Sequence, residues 1–237
     1  MALELYSARI CPFASRVRLV ASLLRLPVSV IEIDLTNKAP AFVALYPTAC
    51  GAAKGGPAKV PVLRDGDFLL AESGVVATYL VDKFSQLVKG NCFMSEVSPK
   101  GKALSTLVCE QAGGAIISNF YGLLKSQDAA EQARMTSSLL GACEAFGAHL
   151  QAAGGNGPFF LGELPSLADC LVYPWVARFC VLKAYRGFAV PQGDERYRAF
   201  SRWADAMAAV PEVAATIEPD DFYTVGYESY AKPPAAV

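Results

Sequence analysis

Strand signals alternate with helix signals up to Ser85 and then stop, which restricts the chain to folds in which a small α/β unit precedes an all-helical one. Leu3-Glu4-Leu5-Tyr6 alternates as a short strand, Ser7 to Ile10 reads as a tight loop, and Phe13, Val17, Val20 and Leu24 then recur at helical spacing. Val28 to Ile33 is short and β-branched, a second strand. Lys59-Val60-Pro61-Val62-Leu63 and Phe68-Leu69-Leu70 flank Arg64-Asp65-Gly66-Asp67, a hairpin signal centred on Asp-Gly. Glu72-Ser73 opens another helical pattern that runs through Val76, Tyr79 and Leu80 to Phe84. The order β-α-β, a loop, then β-β-α predicts a mixed sheet with a parallel first half. Pro61 has no N–H for a ladder, and a cis peptide before it at a strand end resolves that conflict.

Residues 1–85 thus form the α/β domain, 86–97 a linker, and 98–237 a helical domain. Leu104, Leu107, Val108, Gln111 and Ala115 mark one face of a helix begun near Ser98-Pro99. Met135, Leu139, Cys143, Phe146 and Leu150 mark a second, closed by Gly154-Gly155. Ser166-Leu167-Ala168-Asp169 is a capping box with Asp in the Glu position and starts a third, which Pro174 should kink. Ser201 to Ala209, around Trp203, gives a fourth.

Composition removes several classes of function. A net charge of −1 offers no field for nucleic acid or an anionic membrane. No run approaches the roughly 18 apolar residues of a spanning helix. Val17 to Ile33 is interrupted by Arg18, Arg25, Pro27 and Glu32, and Met1-Ala2-Leu3-Glu4 lacks a signal peptide's basic start. Seven scattered cysteines without a CxxC pair predict free thiols in a reducing cytoplasm, not a disulfide framework. The single histidine, His149, lies in a helical stretch, so neither a metal site nor a Cys–His pair is expected.

Cys11 is the residue that points to chemistry. Pro12 suits the first position of a helix, which places Cys11 at the N-cap. Free backbone N–H groups and the positive end of the helix dipole favour a thiolate there. Such placement predicts a pKa lowered from about 8.5 into the range of about 3.5–7.5. Arg16 and Arg18, within two turns, add positive charge. The competing reading is a small buried thiol of no chemical use. Tyr6 and Ser7 are alternative activating hydroxyls, but neither sits at the cap.

Cys11-Pro12-Phe13-Ala14, Lys59-Val60-Pro61-Val62-Leu63 and Glu72-Ser73-Gly74-Val75-Val76-Ala77-Thr78-Tyr79-Leu80 together resemble, in order and spacing, the three signatures of cytosolic glutathione S-transferases. Phe159-Phe160-Leu161-Gly162 leading to Ser166-Leu167-Ala168-Asp169, then Tyr173-Pro174-Trp175, resembles the omega class in particular, as does Arg202-Trp203-Ala204-Asp205-Ala206-Met207 with Pro211-Glu212-Val213. The resemblance covers nearly the whole chain and implies a thioredoxin-like N-terminal domain with a helical C-terminal domain. It implies glutathione as co-substrate, no metal, and a homodimer.

By the same resemblance, Cys11 is the catalytic residue, and Phe13, Lys59, Val60, Pro61, Glu72 and Ser73 bind glutathione. The Val60 backbone, presented by cis Pro61, would pair with the cysteinyl backbone of glutathione as a short β-augmentation. Ser73 would offer N–H donors to the γ-glutamyl carboxylate, Glu72 a carboxylate to the ammonium, and Lys59 a cation to the glycyl carboxylate. Taken on their own, Ser73 reads as a plain N-cap and Lys59 as a solvated strand end.

A cysteine at this position implies thiol transfer, with reduction of disulfides, S-glutathionylated substrates or dehydroascorbate. Ala14 stands where a resolving thiol would be, so the cycle needs external glutathione. Cys109, Cys143, Cys170 and Cys180 are expected in the core, and Cys50 and Cys92 in loops. Cys50 belongs to a glycine-rich loop at 48–58 that is longer than the family's. Phe13, Tyr121, Tyr173, Trp175, Phe179, Phe222, Tyr223 and Tyr227 are candidates for the acceptor wall. Two other functions share such a start: a membrane-inserting protein of the chloride intracellular channel type, and a non-catalytic glutathione-fold binding module. Arg16, Arg18, Arg25 and Pro27 make membrane insertion of the segment after Cys11 costly.

Overall fold

The computed structural model describes residues 3–51, 56–84, 99–153 and 157–232. Strands β1 (Leu3–Ser7), β2 (Val28–Glu32), β3 (Val62–Asp65) and β4 (Phe68–Ala71) form one sheet in the order β2-β1-β3-β4. β1 runs parallel to β2, with Leu5 opposite Val30, and antiparallel to β3, with Leu5 opposite Leu63. A parallel pair needs a crossover, which helix α1 (Pro12–Leu23) supplies. The predicted mixed sheet is therefore present.

Two local details differ from expectation. Asp65 pairs with Phe68, so Gly66-Asp67 makes the hairpin turn, one residue later than Asp-Gly. Gly66 has φ 62, a conformation that favours glycine. The Val60–Pro61 peptide is cis as predicted, but β3 begins only at Val62. Lys59, Val60 and Pro61 thus precede the ladder, and Pro61 takes no donor out of it.

The stretch expected as a loop contains helix α2 (Pro40–Ala49), packed against β4. Pro40 fits its first turn, whereas Pro47 inside it is locally unfavourable to a helix. Burial of Phe42, Tyr46 and Ala49 overrides that local penalty. Cys50 is the C-cap of this helix, not a loop residue.

Helix α3 (Ser73–Phe84) completes the α/β half. The linker expected at 86–97, together with Cys92 and Gly154-Gly155, lies outside the described residues. Helix α4 (Pro99–Val108) continues through a π-helical turn at Cys109–Gly113 into α5 (Gly114–Lys125). That turn explains a partly misread face: Val108 is buried as predicted, but Leu107 and Gln111 are exposed, and Ser105 and Ala112 are buried instead. One extra residue per turn shifts the phase of the apolar pattern. Helix α6 (Ala129–Ala152) buries Leu139, Cys143, Phe146 and Leu150 as predicted, and packs on α5.

Helix α7 (Leu167–Val176) starts at the predicted Ser166–Asp169 capping box and stops two residues after Pro174. Helices α8 (Phe179–Arg186), α9 (Arg198–Ala209), α10 (Pro211–Ala214), α11 (Asp220–Gly226) and α12 (Glu228–Ala231) follow, and only α9 was legible in advance. Helix α1 packs against α3 within its own half and against α7 and α10 of the helical half. Val17, Leu19, Val20 and Leu23 on α1 are fully buried there. The segment that a membrane-inserting reading requires is thus held between the two halves. Among the described residues no helix is long and apolar enough to cross a membrane.

Candidate active site

Cys11 is the N-cap of α1, with Pro12 at the first helical position. Its own N–H donates to the Ala8 carbonyl at 2.9 Å, and its carbonyl accepts from Ser15 N at 3.0 Å. The side chain is half-buried. The N–H groups of Ala14 and Phe13 face the thiol and pull its pKa down without closing a cap hydrogen bond. Arg178 and Arg16 pull in the same direction. Burial is the largest effect and pushes the thiol up, so the net shift is above the ordinary cysteine value. This corrects the expected depression: the dipole acts as predicted, and desolvation of the thiolate outweighs it. Arg18 does not contribute, since its guanidinium bonds the Thr216 carbonyl and Glu218. Ser7 is buried in β1, and Tyr6 stacks on Phe42, so neither stands at the cap.

A cavity of about 360 Å³ is lined by Phe13, Tyr46, Lys59, Val60, Pro61, Glu72 and Ser73. It collects all six residues expected to bind glutathione and adds Tyr46, which comes from the unforeseen α2. Glu72 has φ 68, a left-handed conformation rare for a side-chain-bearing residue. Its carbonyl accepts from Val76 N at 2.9 Å, which makes Glu72 the N-cap of α3 and Ser73 the first helical residue. Ser73 is therefore not the plain cap its sequence suggests. Its Oγ accepts from Arg16 Nη1 at 3.1 Å, while Arg16 Nε donates to the Leu171 carbonyl at 2.8 Å. The Arg16 guanidinium lies 4.7 Å from the Trp175 ring centroid and 5.4 Å from that of Phe13. Burial there lowers the Arg16 pKa to about 10.

The cavity thus offers a carboxylate at Glu72, exposed Lys59, a helix N-terminus with a hydroxyl at Ser73, and a backbone edge at Val60. These groups complement a small peptide bearing carboxylates and an ammonium. Among the described residues no group of three His, Cys, Asp or Glu side chains could hold a metal ion.

The other expectations sort by burial. Cys143 and Cys170 are in the core, whereas Cys109 and Cys180 are only half-buried. Burial raises Cys109 and Cys180 to about 12, which makes them inert as thiolates. Of the aromatics, Tyr173, Trp175, Tyr223 and Tyr227 are buried core, and only Phe13 is exposed. Sequence reasoning missed Arg178, a fully buried guanidinium that bonds the carbonyl of Ile10, next to Cys11. No local pattern marks it, because its partners around Cys11 lie more than 160 positions away.

A thiol at a helix N-terminus and a cis-proline in the adjoining cavity wall, carried on a thioredoxin-like sheet that joins a helical half, define the glutathione S-transferase fold. Residues 5–87 match the family model of the glutathione S-transferase N-terminal domain, and residues 129–206 that of the C-terminal domain. The chain belongs to the glutathione S-transferase family and is omega-like. It is 25% identical over 238 residues to a probable glutathione transferase omega-2 of Caenorhabditis elegans, covering 96% of this chain and 85% of the relative. It is 26% identical over 209 residues to a probable glutathione S-transferase DHAR2, chloroplastic, of Oryza sativa subsp. japonica, covering 88% of this chain and 66% of the relative. The crystal structure of glutathione transferase Omega 3C from Trametes versicolor superposes with a TM-score of 0.79 at 21% identity, over 96% of this chain and 89% of that one. The protein is accordingly an enzyme of the glutathione-dependent transferase and oxidoreductase class, with glutathione as co-substrate.

Proposed function

We propose that the protein is a monothiol glutathione-dependent thiol transferase in which Cys11 forms a mixed disulfide with glutathione. The observation that carries this reading is the convergence of Phe13, Lys59, Val60, Pro61, Glu72 and Ser73 on one cavity beside a cysteine N-cap. In the first step the Cys11 thiolate attacks the glutathione sulfur of a mixed disulfide RS–SG. A Cys11–SG bond forms, the RS–SG bond breaks, and RS⁻ leaves and takes a proton. In the second step a glutathione thiolate attacks the Cys11–SG bond and releases glutathione disulfide and the free Cys11 thiolate. One free glutathione is consumed per turnover, RS–SG and glutathione giving RSH and glutathione disulfide, and the two electrons that reduce the RS sulfur come with the formation of that disulfide.

Each binding group has a stated task. The Val60 backbone pairs with the cysteinyl backbone of glutathione, and Ser73 takes the γ-glutamyl carboxylate at the start of α3. Glu72 takes the ammonium and Lys59 the glycyl carboxylate. Arg16, bonded to Ser73, orients that hydroxyl and adds positive charge behind the γ-glutamyl carboxylate. Buried Ala14 brings no thiol to resolve the mixed disulfide, so a second glutathione does it. Dehydroascorbate is included among the acceptors on the resemblance to the omega class, and because one protein that shares this fold is a dehydroascorbate reductase of Chlamydomonas reinhardtii. The cytoplasm is the compartment that keeps such free thiols reduced.

The test is glutathione-dependent reduction of hydroxyethyl disulfide by the wild type and by Cys11→Ser. Activity in the wild type that disappears in the variant supports the reading. A folded wild type without activity would overturn it and favour a binding module.

A further inference from the structure

We propose that Arg178 is a positioning residue for Cys11, acting across the domain boundary as the buried counter-charge of its thiolate. The proposal deepens the thiol-transferase reading and rests on Cys11 being the reacting thiol.

Arg178 follows the end of α7, and its guanidinium is fully buried. Nε and Nη2 grip the Ile10 carbonyl at 3.3 and 3.2 Å, the residue immediately before Cys11. Nη2 also reaches Ser15 Oγ at 3.0 Å, in the first turn of α1, and the Arg9 carbonyl at 3.4 Å. Nη1 donates to the Pro174 carbonyl at 2.7 Å. One side of the group therefore caps the interrupted helix α7, and the other holds both flanks of the cysteine. Tyr223 covers its face, 4.2 Å from ring centroid to guanidinium carbon.

Every one of these partners is a neutral carbonyl, hydroxyl or ring. Among the described residues no carboxylate lies within 4.0 Å of Arg178, whereas Arg9, Arg18 and Arg25, all less buried, each meet Glu218 or Glu212. A buried charge without a counter-ion is costly, and a structure keeps one where an anion is to be held. The remaining groups facing Cys11 are Arg16 on its own helix and the hydroxyls of Tyr121 on α5 and Tyr227 between α11 and α12. Burial keeps both phenols protonated at neutral pH, so neither is the missing anion. Cys180 also lies in the field of Arg178, but burial raises it to about 12. Among the described groups here, the thiolate that Cys11 forms when it reacts is the one that supplies the negative charge. Arg178 acts on the same thiol that the helix N-terminus faces, and in the same direction.

The role is tested by the pH dependence of Cys11 alkylation with iodoacetamide, followed by peptide mapping, in wild type, Arg178→Gln and Arg178→Lys. Removal of a close opposite charge should raise the midpoint by roughly one pH unit or more, about tenfold less thiolate at a fixed lower pH. Arg178→Lys should recover a clear part of that shift, although it cannot reproduce the forked grip on Ile10. An unchanged midpoint in folded Arg178→Gln, or a lysine variant no better than the glutamine one, overturns the proposal. Where Arg178→Gln does not fold, Cys11→Asp is compared with Cys11→Asn, since both side chains cap helices equally well. The aspartate variant should melt higher, and an equal or lower melting temperature overturns the proposal. Hydroxyethyl disulfide activity is read separately. Wild-type activity without an alkylation shift sinks the role of Arg178 alone, and a shift without wild-type activity sinks the thiol-transferase reading alone.

Discussion

Trp203 Nε1 donates a 2.7 Å hydrogen bond to Asp169 Oδ1, and so ties helix α9 to the start of α7 in the middle of the helical half. Phe160 N donates to the same oxygen at 3.1 Å. Oδ2 accepts from Ser166 N at 2.7 Å and from Ser166 Oγ at 2.6 Å. The carboxylate is completely buried and its four donors come from three separate segments. Burial pushes the Asp169 carboxyl above its ordinary pKa, and the four donors pull it back.

Replacing Asp169 with Ala strands those donors in an apolar core and should cost about 3–5 kcal/mol. Asp169→Asn keeps the volume but turns an amide N–H₂ toward N–H donors, and should cost about 2–3 kcal/mol. Urea midpoints of the two variants check the ranking. A loss below about 1 kcal/mol for Asp169→Ala would show that the network is not holding α7, α9 and the Phe160 segment together.

Much of this framework is legible in the sequence because it is local. Cys11-Pro12, the Ser166–Asp169 box and the turn beside Gly66 each announce themselves within four residues. Cis Pro61 follows from a single conflict between proline and ladder. Helix α2 escaped because Pro47 breaks its pattern, and only burial of Phe42 and Tyr46 against the sheet restores it. The face of α4 escaped because the π-turn at Cys109–Gly113 changes the period in mid-helix. The charge on Cys11 was misjudged for another reason: an N-cap position can be read from a sequence, but the extent of its desolvation cannot. Arg178 and Glu218 act over separations at which sequence carries no pairing signal.

Glu72 holds a left-handed backbone at φ 68 while its side chain remains exposed at the cavity. Strain of this kind persists where the side chain is needed. Glu72→Gly should therefore stabilise the fold by about 1 kcal/mol and, at the same time, raise KM for glutathione with little change in kcat. Opposite signs for stability and binding are the signature to look for. A variant with both unchanged would remove Glu72 from the glutathione site.

Phe68 and Val75 are each about half exposed, at 48% and 54%, on an apolar groove of about 770 Å³ between α3, α4 and α7. The expected homodimer would cover this face, the sheet half of one subunit meeting the helical half of the other. Val75→Glu places a charge at its centre and should convert the protein to a monomer, read by light scattering after gel filtration. A wild type already monomeric at micromolar concentration would leave the groove without that partner.

Glu218, from the segment between α10 and α11, reaches back to Arg9 in the loop before Cys11 and to Arg18 on α1. The hydrogen bond from Arg9 is the main cause that lowers the Glu218 pKa; burial opposes it, and Arg18 adds to the lowering. A carboxylate with a folded-state pKa below its unfolded value stabilises the protein above that unfolded value, about 4.3 for glutamate. The contribution disappears as pH falls through the lower folded value. Arg9 is more than half exposed, so solvent screens the pair and about 1 kcal/mol is expected at neutral pH. Glu218→Gln should lower the stability read from urea unfolding at pH 7 by that amount, and the two proteins should converge as the pH falls below the lowered folded-state pKa, where Glu218 is protonated in both folded and unfolded wild type. Hydrogen exchange at the amides of residues 8–11 should rise in the variant at neutral pH, because the clamp holds the loop that carries Cys11. Parallel stability curves for the two proteins across this range, with no convergence, would mean that Glu218 contributes through packing and not through its charge.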